Sequence, residues 1–182
     1  MHTRPGSPRV SVIVPTKDEA RNLEVLLPDM PDVHEVVLVD AGSRDGTVDV
    51  ARRHLSNLQV INQTRTGKGN ALVCGMHAAT GDIVVTLDAD GSADPCEIPA
   101  FVDALVEGAD FAKGSRYMPG GGSVDLTRLR SAGNWGLNVL SNLCLGTKFT
   151  DLCYGYNAFW RDIVPALRLP DPDLPQPADG TR

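Results

Sequence analysis

Apolar and polar positions recur with two different periods along the first part of the chain. Short apolar, β-branched runs predict buried strands at residues 9–14, 34–39, 58–61, 83–87 and 110–113. Between these runs, apolar residues recur at helical spacing, which predicts helices at residues 19–27, 47–54, 67–79 and 95–106. Strands that alternate with helices in this way are typical of an α/β structure with right-handed crossovers.

The pattern changes after about residue 114. A glycine-rich loop at 119–122 precedes a helical period over 129–145 and an aromatic-rich run at 154–160, which predicts a strand. Five of the 13 prolines lie beyond Val164, so this end of the chain is predicted to be extended or disordered. A chain of 182 residues is about one domain. We therefore predict one domain over 9–162 and a proline-rich tail, disordered or truncated, over 163–182.

Charge and composition exclude several classes of protein. Lys and Arg number 17 against 23 Asp and Glu, a net charge of −6, whereas proteins that bind nucleic acid usually carry a basic surplus. No nucleic-acid partner is therefore expected. Hydrophobic residues make up 42% of the chain, which is ordinary for a globular domain and excludes a disordered or collagen-like chain.

The cysteines and the apolar runs bear on the cellular compartment. The four cysteines lie far apart and form no C-x-x-C pair, which argues against a zinc ribbon or a thioredoxin-type site. We interpret them as small core residues in a reducing compartment. Residues 1–9 are polar and have no apolar stretch of the signal-peptide type. Since no apolar run approaches the roughly 20 residues that cross a bilayer, a soluble, cytoplasmic protein is expected.

Acidic residues follow two of the predicted strands at the point where each strand ends. Asp40 follows the run EVVLV, and Asp88 and Asp90 follow the run IVVTL. Ligands of open parallel sheets bind beyond the carboxyl ends of the strands, so these carboxylates are expected near one ligand. An isolated D-x-D is often only a solvated acidic turn. After a buried strand, with Asp40 in a matching position, it favours a site for Mg²⁺ or Mn²⁺ shared with a substrate diphosphate.

Six motifs taken together resemble a known family. They are VSVIVPTKDEARNL, EVVLVDAGSRDGT, GKGNAL, LDADGSADP, KGSRYMPGGG and TDLCYGYNAF. Their order and spacing resemble those of family 2 glycosyltransferases of the GT-A fold, and most of all the polyprenyl-phosphate sugar transferases, which include dolichol-phosphate mannose synthase. The resemblance covers roughly residues 9–162. It implies a catalytic domain with a Rossmann-like three-layer α/β/α fold and a mostly parallel central sheet.

The resemblance also implies roles on the side of the sugar donor. The nucleotide-binding residues it implies are Pro15, Thr16, Glu19, Asp40, Lys68 and Asp88. In this assignment Asp40 contacts the base, and Asp88 and Asp90 hold the metal ion, with Asp90 as the main ligand. For Lys68, a solvated position at the start of a helix is the alternative interpretation.

The acceptor side is implied in the same way. Arg116 and Arg130 match arginines that hold phosphate in the lipid-linked branch, and Asp151 lies where acceptor and sugar meet. With Asp90, these are the implied catalytic residues. The alternative is that Arg130 is an ordinary surface charge and that Arg116 pairs with a structural acid.

Three positions depart from the family pattern. Ala41 stands where the family often has a second Asp, which removes one contact to the base or ribose. Ser92 stands where the lipid-phosphate branch often has Gln, so a third metal ligand is not expected there. Asn157 stands where many relatives carry Arg, so one charge near the acceptor phosphate is missing. These departures bear on the acceptor more than on the reaction class.

The implied reaction is a metal-dependent, inverting transfer of a sugar from a UDP- or GDP-sugar to a polyprenyl phosphate, by a chain at most peripheral at the inner face of the membrane. A lipid phosphate is already ionised at neutral pH, so it needs cations to position it rather than a base. A hydroxyl acceptor remains an alternative and would require a base, for which Asp151 is the candidate. A truncated or inactive domain that only binds a nucleotide sugar is the other alternative. A nucleotidyltransferase is disfavoured because PTKDEARN is not a glycine-rich, basic loop.

Overall fold

One mixed sheet forms the centre of the molecule. The computed structural model describes residues 4–117 and 128–173, except for the side chains of 128–132 and 145. The strands of the described residues are β1 (Val10–Thr16), β2 (Glu35–Asp40), β3 (Leu58–Asn62), β4 (Ile83–Thr86), β5 (Phe111–Lys113) and β6 (Asn157–Trp160). Their order in the sheet is β3-β2-β1-β4-β6-β5. Among these strands only β6 runs opposite to the other five, so the prediction of a mostly parallel sheet is confirmed.

The helices cover both faces of this sheet. Those of the described residues are α1 (Ala20–Leu26), α2 (Thr47–His54), α3 (Lys68–Ala78), α4 (Ile98–Val106) and α5 (Arg128–Leu145). Short 3-10 segments lie at Leu27–Asp29, Pro95–Glu97 and Arg161–Leu167. None of the helices in the described part of the chain has both the length and the apolar character needed to cross a membrane.

The alternation of side chains along the strands separates two apolar cores. Ile13 and Val37 pack with residues of α3, whereas Val12 and Val36 pack with residues of α1, α2 and α4 on the other face. Successive side chains of a strand point to opposite faces of the sheet, so continuous apolar runs fill both layers. The predicted three-layer α/β/α architecture is therefore confirmed.

Two element boundaries differ from the sequence predictions for physical reasons. Pro15 does not end β1: it pairs with Val39 of β2, and Thr16 pairs with Asp40. The ladder to β4 stops at Ile13, and a proline is tolerated where a strand lacks a neighbour on one side. The strand predicted at 154–160 begins only at Asn157, because the preceding residues contact the loop after β4 instead.

The burial of the cysteines corrects one prediction. All four are free thiols, but only Cys74 is buried. Cys96, Cys144 and Cys153 are exposed, so the interpretation of all four as core residues was wrong for three of them. Cys144 lies on α5, whose apolar side faces outward.

The segment after β6 packs against the α3 face of the sheet, where Ile163 and Val164 contact the core that contains Ile13 and Val37. Residues Arg161–Leu167 form 3-10 turns, although the sequence predicted an extended or disordered tail from residue 163. Further on, the carbonyl of Pro172 accepts hydrogen bonds from Thr64 Oγ1 at 2.6 Å and Asn70 Nδ2 at 3.3 Å. Residues 174–182 lie outside the described residues, and the domain boundary at 162/163 stays a prediction.

Candidate functional site

A cavity of about 510 Å³ opens at the carboxyl ends of the parallel strands. It lies beside β1, which separates β2 from β4 and marks the point where the strand order reverses. Such a switch point is where open α/β sheets bind ligands. The residues that line the cavity come from the loops after β1, β2, β3 and β4: Pro15, Thr16, Lys17, Glu19, Ala41, Gln63, Thr64, Arg65, Thr66, Gly67, Lys68, Ala71, Asp88, Ala89 and Asp90. We call this cavity the donor pocket.

Most residues predicted for the donor side line this pocket. Pro15, Thr16, Glu19, Lys68, Asp88 and Asp90 all do so. They are far apart in the sequence and meet because each follows, or ends, a strand of the same parallel sheet. Of the three carboxylates expected near one ligand, Asp88 and Asp90 line the pocket.

Asp40 is placed differently. It is buried, and its Oδ2 accepts hydrogen bonds from the backbone N–H groups of Gly42 and Ser43, both at 3.0 Å. Its Oδ1 accepts hydrogen bonds from the Ser43 hydroxyl at 2.5 Å and from the Thr16 hydroxyl at 3.4 Å. The carboxylate is thus turned toward its own loop, and Asp40 is not among the pocket-lining residues.

The loop that Asp40 holds is joined in turn to the loop after β1. Asp18 donates its backbone N–H to Ser43 Oγ at 2.8 Å and accepts a hydrogen bond from the Arg44 N–H, also at 2.8 Å. Next to this contact, Asp45 Oδ2 accepts the N–H of Ala20 at 2.9 Å. These side chains fix the two loops against each other, so the wall of the donor pocket around Lys17 and Glu19 is positioned before any ligand arrives.

Lys68 and Asp88 form an ion pair inside the donor pocket. Lys68 begins α3, and its Nζ lies 2.5 Å from Asp88 Oδ1. Gly155 packs against this pair so closely that a Cβ atom there would lie 2.5 Å from Asp88 Oδ2 and 3.1 Å from Lys68 Nζ. Real Cβ atoms do not approach that closely, so any larger residue at position 155 must displace the pair.

Two tyrosines on either side of Gly155 hold the loop that carries Asp90. The hydroxyl of Tyr154 donates to the Ser92 carbonyl, and that of Tyr156 donates to the Asp94 carbonyl, both at 2.9 Å. Burial raises the pKa of Tyr154 to about 12 and also raises the pKa of Tyr156. Both hydroxyls therefore stay protonated and remain donors at neutral pH.

Arg116 and Asp151 form a second ion pair, on the other side of Tyr154. Arg116 Nε and Nη2 donate to the two carboxylate oxygens of Asp151 at 2.8 and 3.0 Å, and the Arg116 backbone N–H adds a third hydrogen bond at 3.2 Å. The guanidinium also stacks over the Tyr154 ring, 4.9 Å from its centroid. The Asp151 side chain has no exposed surface, and that of Arg116 is 18% exposed. This is the pairing of Arg116 with a structural acid that the sequence left open.

The charge state of Asp151 follows from its burial and its hydrogen bonds. Burial alone raises the pKa of a carboxyl group, but the hydrogen bonds from Arg116 and Asn134 outweigh burial and hold the pKa of Asp151 below its ordinary value. Asp151 is therefore an ionised carboxylate with a weak affinity for protons. That state is unsuited to a general base, which works best with a pKa near the operating pH.

An asparagine ladder on α5 holds the segment that contains Asp151. Asn134 Nδ2 donates to Asp151 Oδ1 at 2.8 Å, and Asn138 bonds both the Thr150 carbonyl and the Leu152 N–H, at 2.6 and 2.8 Å. One turn further on, Asn142 bonds the carbonyl and the N–H of Phe149, both at 2.8 Å. The three asparagines are spaced four residues apart, so one face of the helix holds the irregular segment of residues 149–153.

Position 157, where the sequence lacks an expected arginine, is next to another cation. Lys113 lies directly opposite Asn157 in the β5–β6 register. Its Nζ donates to Asn157 Oδ1 at 3.0 Å and to the Tyr154 carbonyl at 2.6 Å. Burial lowers the pKa of Lys113. Arg130, the other predicted acceptor-side cation, belongs to α5, but its side chain lies outside the described residues.

The pocket suits a divalent cation that is shared with a ligand. Asp88 and Asp90 both line it, Asp90 is exposed, and carboxylate oxygen is the donor that Mg²⁺ and Mn²⁺ prefer. Over residues 4–117 and 128–173, no three His, Cys, Asp or Glu side chains are grouped to hold a metal ion. Because Mg²⁺ is commonly bound by one or two carboxylates together with substrate phosphates, two carboxylates fit such an ion when a diphosphate is present.

The sequence predictions missed several residues that shape the site. Lys17 and Arg65 add positive charge to the donor pocket, and both stand next to predicted motif residues. Gly155 acts because it packs closely against the Lys68–Asp88 pair, and Asn134 acts through its hydrogen bond to Asp151. The asparagine spacing on the predicted helix was a visible signal, whereas the close packing of Gly155 has no signature in a single sequence.

Comparison with known proteins places this arrangement in a family. The family model "Glycosyl transferase family 2" matches residues 11–168. The undecaprenyl-phosphate mannosyltransferase of Micrococcus luteus is 33% identical over 171 residues, covering 88% of this chain and 70% of that protein. The polyprenol monophosphomannose synthase of Mycolicibacterium smegmatis is 33% identical over 173 residues, covering 88% of this chain and 65% of that protein.

A solved structure shows the same fold. Glucosyl-3-phosphoglycerate synthase from Mycobacterium tuberculosis, in complex with Mn²⁺, UDP and glucosyl-3-phosphoglycerate, superposes with a TM-score of 0.67 at 23% identity. The match covers 90% of this chain and 64% of that one. The chain thus spans about two-thirds of the length of these relatives. On the strength of the family model and of the relatives, the chain belongs to glycosyl transferase family 2.

Proposed function

We propose that this chain transfers a sugar from a nucleotide-diphosphate sugar, either UDP- or GDP-linked, to a polyprenyl phosphate, with inversion at the anomeric carbon. The names of the two curated relatives support this acceptor class. The observation that carries the proposal is the state of Asp151: a buried carboxylate with a lowered pKa, fully engaged by Arg116 and Asn134. No base is needed when the acceptor is a phosphate that is already ionised.

The donor pocket supplies charge of both signs. Lys17, Arg65 and Lys68 line it together with Asp88 and Asp90. As the glycosidic bond breaks, negative charge develops on the departing diphosphate, and fixed cations stabilise it. Lys68 is the best placed of the three, because α3 begins at this residue and its side chain is about half exposed.

Asp88 and Asp90 would hold the Mg²⁺ or Mn²⁺ ion in this proposal. When bound, such an ion supplies positive charge to the leaving diphosphate. Asp88 is already paired with Lys68, so the exposed Asp90 is the carboxylate with the freer access to an ion. The two tyrosine hydroxyls that bind the Ser92 and Asp94 carbonyls keep the Asp90 loop in place.

Arg116 retains a hydrogen-bonding edge for the acceptor phosphate. Its Nε and Nη2 are engaged by Asp151, while Nη1 makes no hydrogen bond to any residue that the structure describes. Arg116 also lines a second cavity of about 780 Å³, together with Gly91, Ser92 and Tyr154. The acceptor phosphate would enter from this side, next to the Asp90 loop. Because the acceptor is a lipid, the proposal places the chain peripherally at the inner face of the membrane.

A transfer assay with paired acceptors tests the proposal. The chain is incubated with UDP-glucose or GDP-mannose, Mn²⁺ or Mg²⁺, and either undecaprenyl phosphate or undecaprenol in detergent. We expect product with the phosphate and none with the alcohol. Product with the alcohol alone would replace the proposal by a hydroxyl acceptor. Nucleotide binding without transfer to either one would indicate a binding domain.

The metal ligand is tested separately by Asp90→Ala. We expect this variant to lose the part of UDP or GDP affinity that depends on Mn²⁺, measured by calorimetry with and without the ion. Asp103→Ala, an exposed aspartate on α4, is the matched control and should keep the full Mn²⁺ dependence. An unchanged Mn²⁺ dependence in Asp90→Ala would remove Asp90 from the metal site.

A further inference from the structure

Helix α5 has its polar side turned inward and its apolar side turned outward. Between residues 133 and 144 its polar residues are Asn134, Asn138, Ser141 and Asn142, and all four are buried or half-buried against the protein. The remaining residues of this stretch are apolar or glycine, and all are exposed: Gly133, Trp135, Gly136, Leu137, Val139, Leu140, Leu143 and Cys144. A helix on a water-facing surface normally shows the opposite arrangement.

The exposed side chains form one continuous face. Trp135, Val139 and Leu143 follow each other at four-residue spacing, and Leu140 lies beside them on the next ridge. Leu143 is 82% exposed and Trp135 is 69% exposed. Single exposed apolar residues are ordinary, but a contiguous apolar face marks an interaction surface. We call residues 133–144 on this outward side the apolar face of α5.

The charge around this face indicates what covers it. From Leu126 to Thr150 the chain has three basic residues, Arg128, Arg130 and Lys148, and no acidic residue, although the whole chain carries −6. A basic segment with an apolar face is complementary to a bilayer of anionic phospholipids, which attract the cations while apolar side chains enter the headgroup region.

We propose that the apolar face of α5 lies on the surface of a membrane that contains anionic phospholipids. This inference rests on the proposed function, because the acceptor would be a lipid of that membrane. The inward side of the same helix binds Asp151 through Asn134, and Asp151 holds Arg116. One helix therefore contacts the membrane on one side and positions the acceptor-side cation on the other.

Vesicle binding tests the proposal without any sugar transfer. The chain is sedimented with vesicles of phosphatidylcholine alone or mixed with phosphatidylglycerol, in the absence of nucleotide and of polyprenyl phosphate. We expect binding to the mixed vesicles that weakens with added salt. Trp135 is exposed and Trp160, the other tryptophan, is buried, so a blue shift of emission on binding reports entry of Trp135 into lipid.

The double variant Leu140→Asp/Leu143→Asp should bind the mixed vesicles at least about tenfold more weakly, because two apolar side chains that would enter the lipid are replaced by acids. The matched control is Val25→Asp, which changes an apolar residue on α1 that is 74% exposed and should bind like the unaltered chain. Thermal unfolding and nucleotide affinity of both variants show whether each one is folded.

Three outcomes would overturn the proposal: no binding of the unaltered chain to the mixed vesicles, equal binding of the double variant, or a concentration-dependent dimer that the two aspartates abolish. Transfer to undecaprenyl phosphate in detergent is measured in parallel. Transfer without vesicle binding would refute the membrane contact and leave the proposed function standing. Vesicle binding without transfer to any acceptor would refute the proposed function and leave the membrane contact standing.

Discussion

The donor pocket and the acceptor side hold their ion pairs in opposite ways. Lys68 and Asp88 meet in an open cavity, where the Lys68 side chain is 54% exposed. Arg116 and Asp151 meet beside the Tyr154 ring, and the Asp151 side chain is fully enclosed. An exposed pair contributes little to stability and exchanges partners easily, whereas a buried pair is expensive to break. The Lys68–Asp88 pair can therefore respond to a ligand, whereas the Arg116–Asp151 pair holds its position.

The largest expected effect comes from breaking the buried pair. Asp151→Ala leaves the Arg116 guanidinium with no opposite charge in a mostly buried place, and the free energy of unfolding should fall by about 3–5 kcal/mol. Urea denaturation measures this change. On the donor side, Asp88→Ala should change the unfolding free energy by no more than about 1 kcal/mol. Equal losses in the two variants would contradict the contrast between the pairs.

A smaller loss is expected when the asparagine ladder is cut. Asn138→Ala leaves the Thr150 carbonyl and the Leu152 N–H without their side-chain partner, which should cost about 1–3 kcal/mol in unfolding free energy. Transfer should slow while the affinity for UDP or GDP stays unchanged, since the ladder supports only the acceptor side. Ser141→Ala, on the same inward side of α5, is the control. A parallel loss of nucleotide affinity in Asn138→Ala would show that the two sides are not separate.

Gly155→Ala should affect ligand binding more than stability. The added Cβ displaces only the ends of two flexible side chains, Asp88 and Lys68, so unfolding should change little. Calorimetry with UDP or GDP should show affinity weakened by about tenfold, the loss of a charged contact. Gly6→Ala is the control, because a Cβ at that position meets no atom within 4 Å. Full affinity in Gly155→Ala would mean that the Lys68–Asp88 pair does not contact the nucleotide.

The smallest effect concerns pH. The folded state lowers the pKa of Asp151 below the ordinary value of 3.8, so its contribution to stability is fully present above that value and is lost as pH falls through the folded pKa. The difference in unfolding free energy between the unaltered chain and Asp151→Asn should therefore stay constant from about pH 8 to pH 5 and shrink only in stronger acid. A difference that stays constant down to about pH 3 would mean that the folded state leaves the pKa of Asp151 at its ordinary value.

The donor pocket was largely predictable from the sequence because it follows a general rule of parallel sheets. Asp88 and Asp90 follow the buried strand β4, and Lys68 opens the helix that follows the edge strand β3. The direction of the Asp40 carboxylate was not predictable from its position at a strand end. Gly42 and Ser43 offer their N–H groups to the aspartate two and three positions earlier, a turn pattern that aspartate favours.

The acceptor side was less predictable because its contacts join distant parts of the chain. Arg116 and Asp151 are 35 residues apart, and neither local period nor composition shows that they meet. For α5, the apolar period predicted a helix but not which side would face the protein. The three asparagines decide this. Asn138 and Asn142 each offer a donor and an acceptor to the backbone of residues 149–152, and Asn134 donates to the Asp151 carboxylate and accepts the N–H of Cys153.

The position of β6 has a consequence for how the chain folds. The four strands β3, β2, β1 and β4 pair in parallel using residues 10–86 alone, whereas β5 reaches the sheet only through β6. The β4–β6 pairing joins Thr86 to Asn157, and contacts between such distant residues form late because a long loop must close first. During synthesis, the half of the sheet that carries Lys68 and Asp88 can therefore assemble early. Gly155 and the Arg116–Asp151 pair are added only after residue 160 has left the ribosome.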